Sequence, residues 1–185
     1  MTTIQRTKIL SQFTCLGDRC ADTCCHGWSM QVDEPTLDRY RKEAPALLAA
    51  VEAGEKGASW SMRKDKESGY CVKLENGLCG IHKKYGDSFL SDACHFYPRV
   101  TRRLGDTVVM TASASCPEIA RLMFTVNDGL AFDAVNIDRL PSALKDYLPS
   151  ELTAEEASHI HHAFLDAAAD PGVTPEHAFA RITSA

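Results

Sequence analysis

A mixed α+β fold is what the sequence predicts: a cysteine-rich metal-binding domain of short hairpins and helices over residues 10–125, then an acidic helical segment over 126–185. All eight cysteines of the 185-residue chain lie between residues 15 and 116. Within that stretch turn residues interrupt the apolar pattern every few positions, so no element is long. The charge balance changes alongside: residues 1–116 hold 16 Lys+Arg against 14 Asp+Glu, whereas residues 117–185 hold 4 against 11.

The length suits one domain or one domain with a small appendage. With 44% hydrophobic and 24% charged residues the composition is that of a globular protein and argues against disorder or a coiled coil. No apolar run has the length of a bilayer span. The first ten residues lack the apolar core and cleavage site of a secretory signal, so the expected compartment is cytoplasmic and no membrane partner is expected. A formal net charge of −5 with no face-sized basic cluster excludes nucleic acid as the expected partner.

Along the chain, Gly27-Trp28-Ser29-Met30-Gln31-Val32 alternates as a short strand. Asp33-Glu34-Pro35-Thr36 then reads as a helix start, with an N-cap residue and an early proline ahead of Leu37, Tyr40, Leu47, Leu48 and Val51. Pro45 is expected to kink or split that helix. Residues 54–69, rich in Gly, Lys and Ser, read as an exposed connection. Tyr70 to Leu74 alternates as a strand, and Glu75-Asn76-Gly77 supplies a turn before Leu78 and Cys79, which places Cys71 and Cys79 on opposite arms of a hairpin. Ile81 to Tyr85 fits one helical turn closed by Gly86, and Cys94 to Arg99 follows a second short helical stretch. Arg99 to Leu104 and Thr107 to Ala112 flank Gly105-Asp106 as a hairpin, and Cys116-Pro117-Glu118 opens a helix through Phe124. The acidic part reads as helical, with a Thr153/Glu156 capping box ahead of Ile160, Phe164 and Leu165, and a second start at Thr174-Pro175-Glu176. The last helix stops at Ala185 without a tail, as a chain cut before a further domain would.

The cysteines follow the pattern Cys15-x4-Cys20-x3-Cys24-Cys25, then Cys71-x7-Cys79, then Cys94 and Cys116. Eight thiols allow four disulfides in an oxidising compartment, but in a reducing one such density more often holds a metal, whose binding free energy folds a loop-rich segment. The metal reading leads. Zinc sites usually carry paired C-x2-C knuckles, which are absent, whereas a four-cysteine iron–sulfur cluster accepts varied spacing. Cys116, at a helix start, is expected to be a thiolate with lowered pKa and hence a ligand. His82, three residues after Cys79, is the histidine best placed as a mixed ligand, although ordinary half-exposed histidines are the favoured reading for His26, His82 and His95. His159, His161 and His162 have no thiol or carboxylate partner at ligand spacing. The glycines contain no G-x-G, so Rossmann and P-loop fingerprints are missing, as are G-x-S-x-G, H-E-x-x-H and the EF-hand loop.

Four stretches taken together resemble the flagellin lysine N-methylase family and, more distantly, zinc- or iron-chelating domains with a C-x2-C-x3-C-C motif. They are Cys15-Leu16-Gly17 with Cys20-Ala21-Asp22-Thr23-Cys24-Cys25-His26-Gly27-Trp28; Gly77-Leu78-Cys79-Gly80-Ile81-His82; Cys94-His95-Phe96-Tyr97-Pro98-Arg99; and Ser115-Cys116-Pro117-Glu118-Ile119-Ala120-Arg121-Leu122. They keep the family's order and cover about residues 10–125. The resemblance implies methyl transfer from S-adenosylmethionine to lysine side chains of flagellin or another protein. It also implies a cysteine-held centre, a 4Fe-4S cluster in preference to zinc, drawn from Cys15, Cys20, Cys24, Cys25, Cys71, Cys79, Cys94 and Cys116. This chain departs from the family in being shorter. It also departs from the C-x3-C-x2-C spacing of radical chemistry, because position 27 is Gly.

Methylating an amine requires a neutral nitrogen held in line with the methyl sulfonium, so a carboxylate or tyrosine is needed nearby. Within the matched stretches Asp22, Tyr97 and Glu118 are the catalytic candidates, and Arg99 and Arg121 the candidates for holding the cofactor carboxylate. Their plain alternatives are helix-start residues for the two acids, core for Tyr97 and surface ion pairs for the arginines. The competing function is a non-catalytic zinc- or iron-chelating module, which the missing glycine fingerprint and short chain favour. Saturable S-adenosylmethionine binding distinguishes the two.

Overall fold

A computed structural model describes residues 1–54 and 59–146, together with residues 152, 153, 155, 156, 159, 160, 162, 163 and 172. The fold is mixed α+β, as expected. The chain forms two compact units, one built from Met1–Gln12, Val100–Ala112 and Leu122–Ala185, the other from Phe13–Arg99 and Ser113–Arg121. The expected domain boundary at 125/126 falls within the first unit, and all eight cysteines belong to the second.

The first unit is organised on strands β1 (Thr2–Thr7), β7 (Arg99–Leu104), β8 (Thr107–Ala112), β9 (Phe132–Ile137) and β10 (Lys145–Asp146), with the short helix α1 (Ile9–Gln12) after β1. The strands form one sheet of order β10-β7-β8-β1-β9. β1 runs parallel to β8 and antiparallel to β9, pairing from Thr2↔Ile137 to Thr7↔Phe132. The expected β7/β8 hairpin is present, and Gly105 turns it at φ 56°. Two expectations are corrected here. The first residues, read only for a targeting signal, form an inner strand, and the acidic part expected to be helical carries β9 and β10. Both corrections come from non-local pairing that local periodicity does not report: β1 is satisfied by β9, over a hundred residues away, and β10 by β7.

The second unit is built from short pieces. β2 (Gln31–Val32), β3 (Val51–Ala53) and β4 (Trp60–Met62) form a sheet of order β2-β4-β3, both pairs antiparallel. β4 lies inside the stretch read as an exposed connection, so that expectation is corrected; buried Met62, paired with Val51, anchors it. Helix α2 (Glu34–Glu43) starts where expected and ends before Pro45, which opens a 3-10 helix to Ala50. The expected hairpin is shorter and displaced: β5 (Leu74–Glu75) pairs with β6 (Leu78–Cys79). Asn76 and Gly77 turn it at φ 53° and 78°, the doubly positive conformation that a two-residue hairpin loop demands. Cys71 therefore precedes the hairpin and makes an isolated bridge with Lys64. α3 (Gly80–Tyr85) stops at Gly86, φ 82°, and α4 (Asp92–Phe96) contains Cys94. α5 (Pro117–Thr125) begins directly after Cys116. Met30, Leu37, Tyr40, Leu47 and Ile81 form the core of this unit, with Cys25 and Cys71 buried among them.

In the acidic part Thr153 and Glu156 form the expected capping box. Glu156 Oε2 accepts from the Thr153 N–H and hydroxyl at 2.8 Å each, and Thr153 Oγ1 accepts from the Glu156 N–H at 3.2 Å. Phe164, Leu165, His161 and the helix expected from Thr174 lie outside the described residues.

Asp33 joins α2 to α4. Its Oδ1 accepts from the Thr36 N–H at 2.9 Å and its Oδ2 from the Asp92 N–H at 2.7 Å. Asp33→Ala removes an N-cap and a second acceptor together, so a loss of about 1–2 kcal/mol is expected in urea unfolding, with Asp33→Asn recovering part of it.

Candidate functional site

Three segments of the second unit bring the thiols together. The loop from Cys20 to Trp28 is tied locally, the Cys25 N–H donating to Thr23 Oγ1 at 3.2 Å and the Trp28 ring N–H to the Cys24 carbonyl at 2.8 Å. The Cys71 N–H donates to the Cys25 carbonyl at 2.8 Å, which fixes the second segment against the first. From there the chain enters β5, crosses the Asn76-Gly77 turn and delivers Cys79 at the head of α3. The third segment is α4, capped by Ser91, with Cys94 packed against the same core.

Cys25 is at the centre of this set. Its thiol retains its proton strongly, because it is hydrogen-bonded first to Cys24 and then to Cys79, and burial adds to the effect. The two recipients shift the other way. Cys24 is lowered to about 7, chiefly by that hydrogen bond. Cys79 falls to about 6, first by the Cys25 hydrogen bond and then, against its desolvation, by the backbone N–H groups of His82 and Ile81 at the start of α3. Around them, burial raises the Cys71 thiol and pushes Cys94 up to about 12. Buried Tyr40 is raised by desolvation and by neighbouring Cys94, Cys79 and Cys71, and its hydroxyl donates to the Phe89 carbonyl at 2.8 Å.

Cys15, Cys20 and Cys116 form a second group. The first is exposed, the second half-buried and Cys116 buried at 7%. The expectation for Cys116 is corrected: the N–H groups of Ile119 and Glu118 do favour its thiolate, but burial outweighs them, and proximity to Cys20 and Cys15 adds to the rise. The thiol activated by a helix start is Cys79. Its signal in the sequence was Gly77-Leu78-Cys79-Gly80, a turn delivering a cysteine to a helix start.

All eight cysteines are free thiols. Among the described residues no group of three or more His, Cys, Asp or Glu closes on a single metal ion. In chemistry the set around Cys25 is all sulfur, with two thiols lowered toward neutral pH, a donor type that zinc and iron–sulfur centres both take. The histidines are engaged elsewhere or turned outward. His26 stacks on Tyr70 at 4.6 Å, His95 Nδ1 meets Asp87 Oδ1 at 2.8 Å, and His82 is exposed.

The remaining candidates separate. Tyr97 is half-buried, stacked on Trp28 with centroids 5.6 Å apart, and its hydroxyl lies 3.3 Å from Ser115 Oγ. Desolvation raises its pKa, with Cys116, Cys24 and Asp22 nearby. Asp22 is exposed and its Oδ1 accepts from the Thr23 N–H at 2.7 Å. Glu118 and Arg121 engage each other through two hydrogen bonds of 2.6 and 2.8 Å, which holds the carboxyl below its ordinary range. The Arg99 guanidinium lies over Phe13 at 5.5 Å. Trp28, not among the residues expected at the site, is the side chain that links Tyr97 to the Cys24 loop.

No protein-family model matches the chain, and no solved structure matches it. Flagellar biosynthetic protein FliU of Salmonella muenchen is 26% identical over 137 residues, 70% of this chain and 81% of that protein. Lysine-N-methylases of Salmonella typhimurium and Salmonella choleraesuis are each 24% identical over 143 residues, 73% of this chain. The match covers 36% of each lysine-N-methylase. The chain is thus a distant relative of proteins named for lysine methylation and flagellar biosynthesis, and corresponds to about a third of the former.

In the reduced, metal-free protein thiolate absorbance should rise between about pH 6 and 7 and lose its more acidic step in Cys79→Ser. The linkage has a definite sign. Cys79 and Cys24, lowered from 9.0, stabilise the fold fully above pH 9, and that contribution is lost as pH falls through about 7 and 6. Cys25, raised, opposes them above 9.0. The melting temperature should therefore climb from about pH 6 toward 9 and fall above 9, and Cys79→Ser should flatten the acid side.

Proposed function

We propose that this chain acts in S-adenosylmethionine-dependent methyl transfer to protein lysine side chains, flagellin being the substrate suggested by its relatives, and that the thiols of its second unit hold an iron–sulfur cluster. The observation that carries the reading is the set of interacting thiols in a chain distantly related to lysine-N-methylases, with two thiols lowered toward neutral pH. Cys24, Cys25, Cys71, Cys79 and Cys94 are the residues that would supply the ligands. When bound, such a cluster ties together separate backbone segments and adds an electron-transfer centre. S-adenosylmethionine would be a bound cosubstrate, not a resident group.

In the transfer itself the lysine nitrogen lone pair attacks the methyl carbon. The carbon–sulfur bond breaks as the carbon–nitrogen bond forms, sulfur leaves as a neutral thioether and the amine loses a proton. Tyr97, stacked on Trp28 of the Cys24 loop, would orient the amine, and the Asp22 carboxylate of that loop would receive the proton. Glu118 and Arg121 are bound to each other, which favours a structural role for both. The same ion pair favours the second reading, a non-catalytic thiol module, because it removes two groups expected to serve a cofactor.

Anaerobic purification with absorption, iron and sulfide analysis tests the cluster. A brown protein with iron and acid-labile sulfide is expected, and Cys24→Ser and Cys79→Ser should each lose most of the iron. A colourless protein carrying stoichiometric zinc would overturn this assignment. Mass spectrometry of flagellin incubated with the protein and S-adenosylmethionine tests the transfer. Unmodified lysines, without saturable S-adenosylmethionine binding, would leave the module reading.

A further inference from the structure

Beside the thiols, the structure presents two aromatic rings fixed at their polar ends. The Trp28 ring N–H is held by the Cys24 carbonyl at 2.8 Å. The Tyr97 hydroxyl lies 3.3 Å from Ser115 Oγ, which lies 2.8 Å from Ser113 Oγ, and the Ser113 N–H donates to the Pro98 carbonyl at 2.8 Å. The rings stack with an interplanar angle of 24°, and both are half-buried, so part of each remains open to solvent.

A carboxylate accompanies this pair: Asp22 is exposed on the same loop as Trp28 and adds to the rise of the Tyr97 hydroxyl, which is due first to desolvation. Cations of the chain that rest on aromatic faces do so elsewhere: Arg39 over Phe89, Lys84 over Tyr85 and Arg99 over Phe13. Arg99 is near in sequence to Tyr97 but is drawn to Phe13. Among the described residues no such contact falls on Trp28 or Tyr97, although the Asp22 carboxylate lies on the Trp28 loop. Fixed rings with a negative flank favour a cation supplied from outside. Methylated onium cations suit such a surface, because they bind the π face while shedding little tightly held water.

We propose that Trp28 and Tyr97, flanked by Asp22, form a binding surface for a methyl-bearing onium cation. This deepens, and rests on, the methyl-transfer reading, which involves two such ions: the sulfonium of S-adenosylmethionine and the N-methylated ammonium of a lysine side chain. Trp28 and Tyr97 touch the ligand directly, and Ser115 and Ser113 are positioning residues for Tyr97.

Calorimetry on the full chain, with tryptophan fluorescence in parallel, tests this using Nε-trimethyl-lysine against neutral norleucine, and S-adenosylmethionine against neutral S-adenosylhomocysteine. One onium ligand should bind saturably, quench tryptophan emission and exceed its neutral counterpart about tenfold in affinity. Trimethyl-lysine responding assigns the surface to the lysine side chain; S-adenosylmethionine responding assigns it to the sulfonium. Trp28→Leu and Tyr97→Leu should each weaken that binding about tenfold, whereas Tyr97→Phe, which keeps the ring, should stay within about threefold. Asp22→Asn, at an exposed position, should weaken it several-fold and provides the test if a leucine variant fails to fold. Equal binding of onium and neutral ligands, or wild-type affinity in Tyr97→Leu or, where that variant unfolds, in Asp22→Asn, overturns the proposal. None of these readouts needs turnover. Onium discrimination without methyl transfer removes the function and leaves the site, whereas methyl transfer without discrimination does the reverse.

Discussion

The thiol chemistry of the second unit depends on the interaction of Cys24, Cys25 and Cys79. Hydrogen bonding among these thiols and burial favour the proton on Cys25, and the same hydrogen bonding lowers Cys24 and Cys79. Two thiolates so close in an apolar surround would otherwise repel, and burial alone would keep each protonated. The backbone enforces the arrangement: the Cys71 N–H on the Cys25 carbonyl fixes where the hairpin starts, and the hairpin's length determines where Cys79 arrives. The Asn76-Gly77 turn, the start of α3 and the thiol chemistry are therefore a single construction.

Much of this was legible in the sequence because its signals are local. Asp33-Glu34-Pro35 marked the start of α2, Pro45 its end, Gly86 the end of α3, and Thr153 with Glu156 a capping box, each by chemistry acting within a few residues. What was not legible depends on distance or burial. The pairing of β1 with β9 joins residues more than a hundred positions apart, and β4 is a strand only because β2 and β3 flank it. Cys116 and Cys79 both precede helices and look alike in the sequence, yet desolvation dominates at one and the Cys25 proton at the other. Spacing places a residue on an element; it does not say how much water remains around it.

The candidate residues divide on the same grounds. Acid and base at i and i+3 on α5 satisfy each other, so Glu118 and Arg121 are already neutralised as a pair. Tyr97 is held by Trp28 and Ser115, partners contributed by other segments of the chain. Glu118 and Arg121 find partners within their own helix turn, and the candidate whose partners come from two other segments, Tyr97, stands where those segments converge.

The placement of β1 carries a consequence for the order of assembly on the ribosome. This strand, made before both of its neighbours, lies between β8 and β9 in the sheet, and β9 ends only at Ile137. The first unit is therefore left without one side of its inner strand until most of the chain has been synthesised, whereas the second unit draws most of its residues from the uninterrupted run Phe13–Arg99. During synthesis the thiol-bearing part can gather its cysteines while residues 2–7 still await both neighbours, a long-range closure of the kind that slows folding. Assembly thus runs outward from the unit that holds residues 13–99, and β1, made before its partners, is among the last segments to be secured.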